Sequence, residues 1–112
     1  AMKLTEIVDE LGLRVAAGAG HLDVEVTGGY TSDLLSCAMA GAAQGNLWIT
    51  LQGHLNIVAV ASLNELAVVI VTEGKPVSRE TTTKAEEEGV VLLLTPLTSY
   101  EVAGRLWDLG IR

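Results

Sequence analysis

Residues 27–56 read TGGYTSDLLSCAMAGAAQGNLWITLQGHLN, and this stretch decides the fold. Gly28-Gly29 opens it with backbone freedom denied to residues that carry a Cβ, so the chain is expected to turn sharply or to approach another group closely there. Ser32 or Thr31 offers a hydroxyl N-cap, with Asp33 favourable in the first turn, for a short helix carrying Leu34, Leu35, Ala38 and Met39. Gly45-Asn46 is expected to stop that helix. Residues 47–51 then form a mostly apolar run bounded by turn signals, as in a strand of a sheet covered on both faces. Gln52-Gly53-His54 leaves its carboxyl end, and Asn56 is placed to cap a helix beginning at Ile57.

Outward from this centre the pattern repeats. A helix is expected over 57–66, with Ile57, Val60 and Ala61 on one face, and a buried strand over 67–71. A surface loop spans 73–76. Ser78 caps a polar helix ending at Glu88 with Gly89 behind it, a second buried strand covers 90–94, and Thr95-Pro96 ends that strand. Thr98 and Glu101 have capping-box spacing, and the last helix turns Val102, Leu106 and Leu109 inward. Toward the amino end, Thr5 is expected to cap a helix with Ile7, Val8 and Leu11 inside and Gly12 at its end. A short strand follows over 13–17. Leu22, Val24 and Val26 alternate with polar residues as in a half-exposed strand.

Strands alternating with helices call for parallel βαβ units, so the expected fold is α/β: a small sandwich with a mainly parallel sheet and flanking helices. At 112 residues the chain makes one domain, over residues 3–112, with Ala1 before Met2 read as an expression remnant. The hydrophobic share is 49% with no Phe, so the core must be aliphatic, with Trp48 and Trp107 its largest pieces. Positive mean hydropathy in so short a chain points to a subunit interface, hence a homodimer. A net charge of −7 argues against nucleic acid, whose phosphates demand clustered Lys and Arg. No run approaches the roughly 20 apolar residues that span a bilayer. With one cysteine and no signal peptide, a cytoplasmic protein is expected.

Asp23 and Thr27-Gly28-Gly29, with the 47–50 strand and the 91–96 segment, carry a resemblance to the DRTGG domain family over nearly the whole chain. The pattern departs at Val24, where the family has arginine. The resemblance implies a fold similar to the N-terminal domains of HPr kinase/phosphorylase and of Mur ligases. Relatives occur fused to CBS, pyrophosphatase or cobyrinic-acid-synthase-like domains, which implies an accessory or regulatory module, often self-associating. A kinase activity is not expected, because the sequence lacks G-x-x-x-x-G-K-[ST] to cradle nucleotide phosphates.

Open α/β sheets bind ligands beyond the carboxyl ends of their strands. That rule, with the glycine pair, gives the candidate ligand set: Thr27, Gly28, Gly29, Thr50, Gln52, His54, Asn56 and Thr95, joined by helix N-termini that favour a small anion. No cofactor is named by the sequence. Cys37, His21 and His54 are too few for a metal centre, and Cys37 reads as a small buried hydrophobe. Ser32 and Asp33 read as capping residues, and Glu86-Glu87-Glu88 as a solvated face. The sequence therefore points to a non-catalytic, ligand-sensing regulatory module. An interaction scaffold for a larger redox or signalling enzyme, such as a hydrogenase, is the alternative, and a small enzyme using His54 with Asp33 is a second.

Overall fold

The computed structural model describes residues 2–112; Ala1, read above as an expression remnant, lies outside them. In chain order the elements are β1 (Met2–Lys3), α1 (Leu4–Leu11), β2 (Arg14–Ala17), a 3-10 turn at Ala19–His21, β3 (Glu25–Val26), β4 (Gly28–Thr31), α2 (Leu35–Gly41), β5 (Asn46–Thr50), α3 (Asn56–Leu63), β6 (Val68–Val71), α4 (Arg79–Glu88), β7 (Leu92–Leu94) and α5 (Ser99–Asp108). β1 and β3 form a small antiparallel pair, and the main sheet runs β2-β7-β6-β5-β4. Strands β4 to β7 are parallel neighbours in sequence order, while β2 joins β7 antiparallel at the edge.

The apolar runs of β5 and β6 are continuous because both faces of the sheet are covered. Successive side chains point to opposite sides. Leu47 and Ile49, with Val68 and Ile70, join the core against α1 and α5, where Leu4, Ile7, Val102 and Leu106 pack. Trp48, Val69, Val71 and Leu92 join the other core, where α2, α3 and α4 supply Ala38, Ile57, Val60, Ala61 and Ala85. The connections after β4, β5 and β6 therefore all lie on one face. The chain leaving β7 crosses to the other.

The helix ends follow local chemistry. Ser78 and Thr98 each accept a hydrogen bond from a backbone N–H in the first turn, of Thr81 and Glu101 respectively. Gly12 and Gly89 close α1 and α4 in the left-handed conformation. Asn64, just past α3, donates its side-chain amide to the carbonyls of Met39 and Ala42, each at 2.9 Å, so the end of one helix caps its neighbour.

Several expectations need correction. Gly28-Gly29 is no turn: both residues lie in β4, paired with Asn46 and Leu47, and neither has a positive φ. Their use is room, because a Cβ on Gly28 would stand 3.1 Å from Asn46 Nδ2 and one on Gly29 3.3 Å from Leu47 Cδ1. Thr5 lies inside α1, whose N-cap is Lys3, with its backbone N–H bonded to Glu6. The alternation at 22–26 shrinks to the two residues of β3, and α2 ends at Gly41, before Gly45. Likewise α3 ends at Leu63 and leaves Leu66 outside. Met2 belongs to the fold, paired with Val26. Trp107 is 58% exposed, whereas Trp48 is fully buried. Cys37 is exposed on α2. Glu86 is no bystander on a solvated face, since its carboxylate accepts the backbone N–H of Gly18.

Candidate functional site at the carboxyl ends of the strands

At the end of β5 the polar groups bond to one another. Asp33 turns its carboxylate back onto the strand, accepting from Thr50 Oγ1 at 3.1 Å and from the Leu51 N–H at 2.8 Å. The Thr50 hydroxyl in turn accepts the Gln52 N–H at 3.1 Å, and Gln52 Nε2 donates to the Asp33 carbonyl at 3.2 Å. Trp48 Nε1 donates to the Ser32 carbonyl. Asp33 is thus a clasp between the β4 and β5 ends, not a first-turn residue of α2. His54 caps α3 by accepting the Asn56 N–H on Nδ1 at 3.1 Å, which reverses the expected direction: Asn56 is the first helical residue and the capped one. Asp33 and His54 each serve a nearby backbone N–H, and no hydrogen bond joins them.

Thr27, Gly28 and Gly29 stand at the other end of the sheet. Gly28 pairs with Asn46, the first residue of β5, whereas Thr50 is its last; the four residue steps from Asn46 to Thr50 put roughly 13 Å between the two groups. Thr27 Oγ1 donates to the Gln44 carbonyl at 2.9 Å and accepts from Asn46 Nδ2 at 3.2 Å, tying the chain before β4 to the chain before β5. Asp23 pairs with Lys3 at 2.9 Å, and the hydrogen bond and charge of Asp23 hold the Lys3 ammonium above the ordinary lysine value. The candidate residues therefore form two groups, with Thr50, Gln52, His54, Asn56 and Thr95 in the carboxyl-end group.

The third region of this end lies between β6 and β7. The connection after β6 leads to α4 on one face and that after β7 to α5 on the other, the arrangement at which open α/β sheets leave a crevice. Its floor is stitched shut: Glu73 and Gly74 donate backbone N–H groups to Leu97 and Thr95, and Thr72 Oγ1 lies 2.6 Å from Ser99 Oγ. Glu73 and Gly74 both take positive φ, 59° and 66°, which swings the following residues outward. Beside this seam runs an open groove of about 400 Å³, lined by Arg14, Lys75, Thr95, two prolines (Pro76, Pro96) and the apolar Val77 and Leu94. Arg14 starts β2 yet reaches the carboxyl rim because β2 runs antiparallel and pairs Arg14 with Leu94, the last residue of β7.

Neither Arg14 nor Lys75 belongs to the candidate set read from sequence. For Arg14 no local signal exists, since its place depends on a strand partner far along the chain. Lys75 stood inside a recognised Gly-Lys-Pro loop following a buried strand, which is a signal that the strand-end rule had available. Among the described residues no group of three His, Cys, Asp or Glu side chains gathers as a metal site, and no helix is long and apolar enough to cross a membrane.

No protein-family model matches the chain, and no curated protein matches it. A solved structure does: the CBS and DRTGG domains of the regulatory region of Clostridium perfringens pyrophosphatase, complexed with its activator diadenosine tetraphosphate, superposes with a TM-score of 0.76 at 18% sequence identity. The likeness covers 91% of this chain and 44% of that one. The present chain thus spans less than half of its structural neighbour, and at this identity what the two share is the fold, a mainly parallel α/β sheet with helices on both sides.

Proposed function

We propose that the protein is a non-catalytic regulatory module that senses a small anionic ligand at the carboxyl ends of its strands and works as a homodimer. The observation that carries this reading is the β6/β7 crevice, where the connections part to opposite faces and a groove opens beside residues of both loops. The regulatory character of the structural neighbour, crystallised with a nucleotide activator, supports it. The non-catalytic part of the reading is supported by Asp33 and His54: Asp33 Oδ1 accepts from Thr50 and Leu51 at the end of β5, His54 Nδ1 accepts from Asn56, and no hydrogen bond couples the two as an acid–base pair. A thermal-shift screen against nucleotides, simple anions and short metabolites tests the sensing role. A ligand at about 100 times its dissociation constant adds roughly 2.7 kcal/mol, a shift on the order of 10 °C for a domain of this size. A flat response across the screen would count against sensing.

The dimer reading rests on β4, the parallel edge of the main sheet. Its sequence, Gly-Gly-Tyr-Thr, has none of the lysine, proline or charge that usually keeps an open edge from pairing. Alongside it a groove of about 220 Å³ runs between Tyr30, Leu47 and the end of α5, with Trp107 and Ile111 on its wall. A monomeric mass by light scattering at micromolar concentration would remove this part. The same surface favours the second reading, a scaffold for a larger redox or signalling enzyme, if it remains open in solution.

A further inference from the structure

The groove between β2, β7 and the loop after β6 differs from the rest of the surface in its charge. In a chain of net charge −7, cations are mostly answered: Lys3 by Asp23, Lys84 by Glu87 and Glu88, Arg105 by Glu101, while Arg112 lies 5.2 Å from the Trp107 ring centre. Among the described residues Arg14, Lys75, Arg79 and Arg112 have no carboxylate within ion-pair distance, and of these Arg112 lies over the Trp107 ring. Arg14 and Lys75 line the same groove, which has no acidic side chain on its wall. Their positions are separate consequences of the fold, one from the antiparallel edge strand and one from the left-handed Glu73-Gly74 turn.

From this we infer that the Arg14–Lys75 groove is the anion site of the module and that its ligand is an organic phosphate. The inference rests on the sensing role proposed above. The backbone N–H groups of Glu73, Gly74 and Lys75 are bonded to Leu97, Thr95 and Thr72, so the anion is held by side chains and not by a backbone cradle. An arginine fork alone satisfies a carboxylate. A second cation beside it suits a group with more charge and more acceptor oxygens, which a phosphate has. The groove volume of about 400 Å³ falls in the range of pockets for small organic ligands, about 300–1,000 Å³, and Pro76, Val77, Leu94 and Pro96 give it apolar walls for the organic part.

The test is calorimetric titration of the full chain with inorganic pyrophosphate, ADP and adenosine, repeated on Arg14→Gln, Lys75→Gln and the double variant. Arg79→Gln serves as a control, because Arg79 is an unpaired cation that lines a different depression with Leu55 and Glu80. ADP should bind more tightly than pyrophosphate, and adenosine should show no measurable heat. Each single variant should weaken ADP at least tenfold and the double variant should abolish binding, with Arg79→Gln unchanged and all thermal midpoints close to that of the parent. Equal ADP affinity in parent and double variant overturns the site while leaving the sensing role in place. Should the parent bind no phosphate but respond to a non-phosphate compound in the thermal screen, the ligand class is overturned and sensing survives. Silence in both experiments removes both.

Discussion

The end of β5 and the ends of β6 and β7 face the same side of the sheet and have opposite characters. Around β5, Asp33, Thr50 and Gln52 bond to one another and to nearby backbone groups, and His54 accepts the Asn56 N–H. Beside β7, Arg14 and Lys75 line an open groove with no carboxylate partner. Polar residues at a strand end are therefore not by themselves a site. A ligand gains little at the atoms the clasp already uses, because a new hydrogen bond there must replace one already made. Cations without a carboxylate partner have no existing ion pair to break before they meet an anion, although they still give up hydration and rotamer freedom.

That contrast is sharpest where the two regions touch. A Cβ on Gly53, in the loop after β5, would overlap the Pro76 carbonyl oxygen in the loop after β6. Gly53→Ala should therefore disturb both ends at once, costing about 3 kcal/mol in urea unfolding, in the range of overpacking strain, and weakening ligand binding as well. Asp33→Ala should cost about 1–2 kcal/mol by leaving the Thr50 hydroxyl and the Leu51 N–H without their acceptor, with ADP affinity unchanged. A loss of affinity in that variant would mean that the β5 end belongs to the site after all. Removing the cap of α4 by Ser78→Ala should cost about 1 kcal/mol, again without a binding effect. Arg14→Gln reverses the pattern: stability should move by less than about 0.5 kcal/mol, as for other exposed positions, while affinity falls.

The smallest expected effect is a pH dependence away from both regions. Because the Lys3 value is raised by Asp23, the stabilisation from this pair is complete below the unfolded lysine value of about 10.4 and disappears as pH rises through the higher folded value. Lys3→Met should flatten that alkaline limb of a thermal-midpoint profile. A limb of unchanged slope would assign it to another group.

Much of the architecture was legible in the residues. The apolar runs of β5, β6 and β7 and the caps Ser78, Gly89 and Thr98 are local patterns, and local patterns fixed the α/β sandwich. Where the reading missed, a distant partner decided. Gly28-Gly29 is extended because β5 lies alongside it, and a turn needs no such neighbour. Trp107 follows the buried Leu106 by one residue, about 100° around the helix, which carries it off the core face. Asp33 had the composition of a helix start, but the Leu51 N–H at the end of the adjacent strand offered it a better use. The candidate site was half legible: the rule that points to strand ends reached Thr95, and with it the edge of the groove. It could not reach Arg14, which enters the rim from an antiparallel strand that no pattern in residues 13–17 announces.

That edge strand also sets an order in time. Arg14 and its partner Leu94 are about eighty residues apart, so a ribosome adding about 5–20 residues per second completes Leu94 roughly 4–16 s after Arg14. Throughout that interval β2 has no ladder to join, while β4, β5 and β6 emerge in the order in which they pair. The groove is among the last features of the sheet to exist, because its wall needs Arg14 of β2 and Leu94 of β7 side by side.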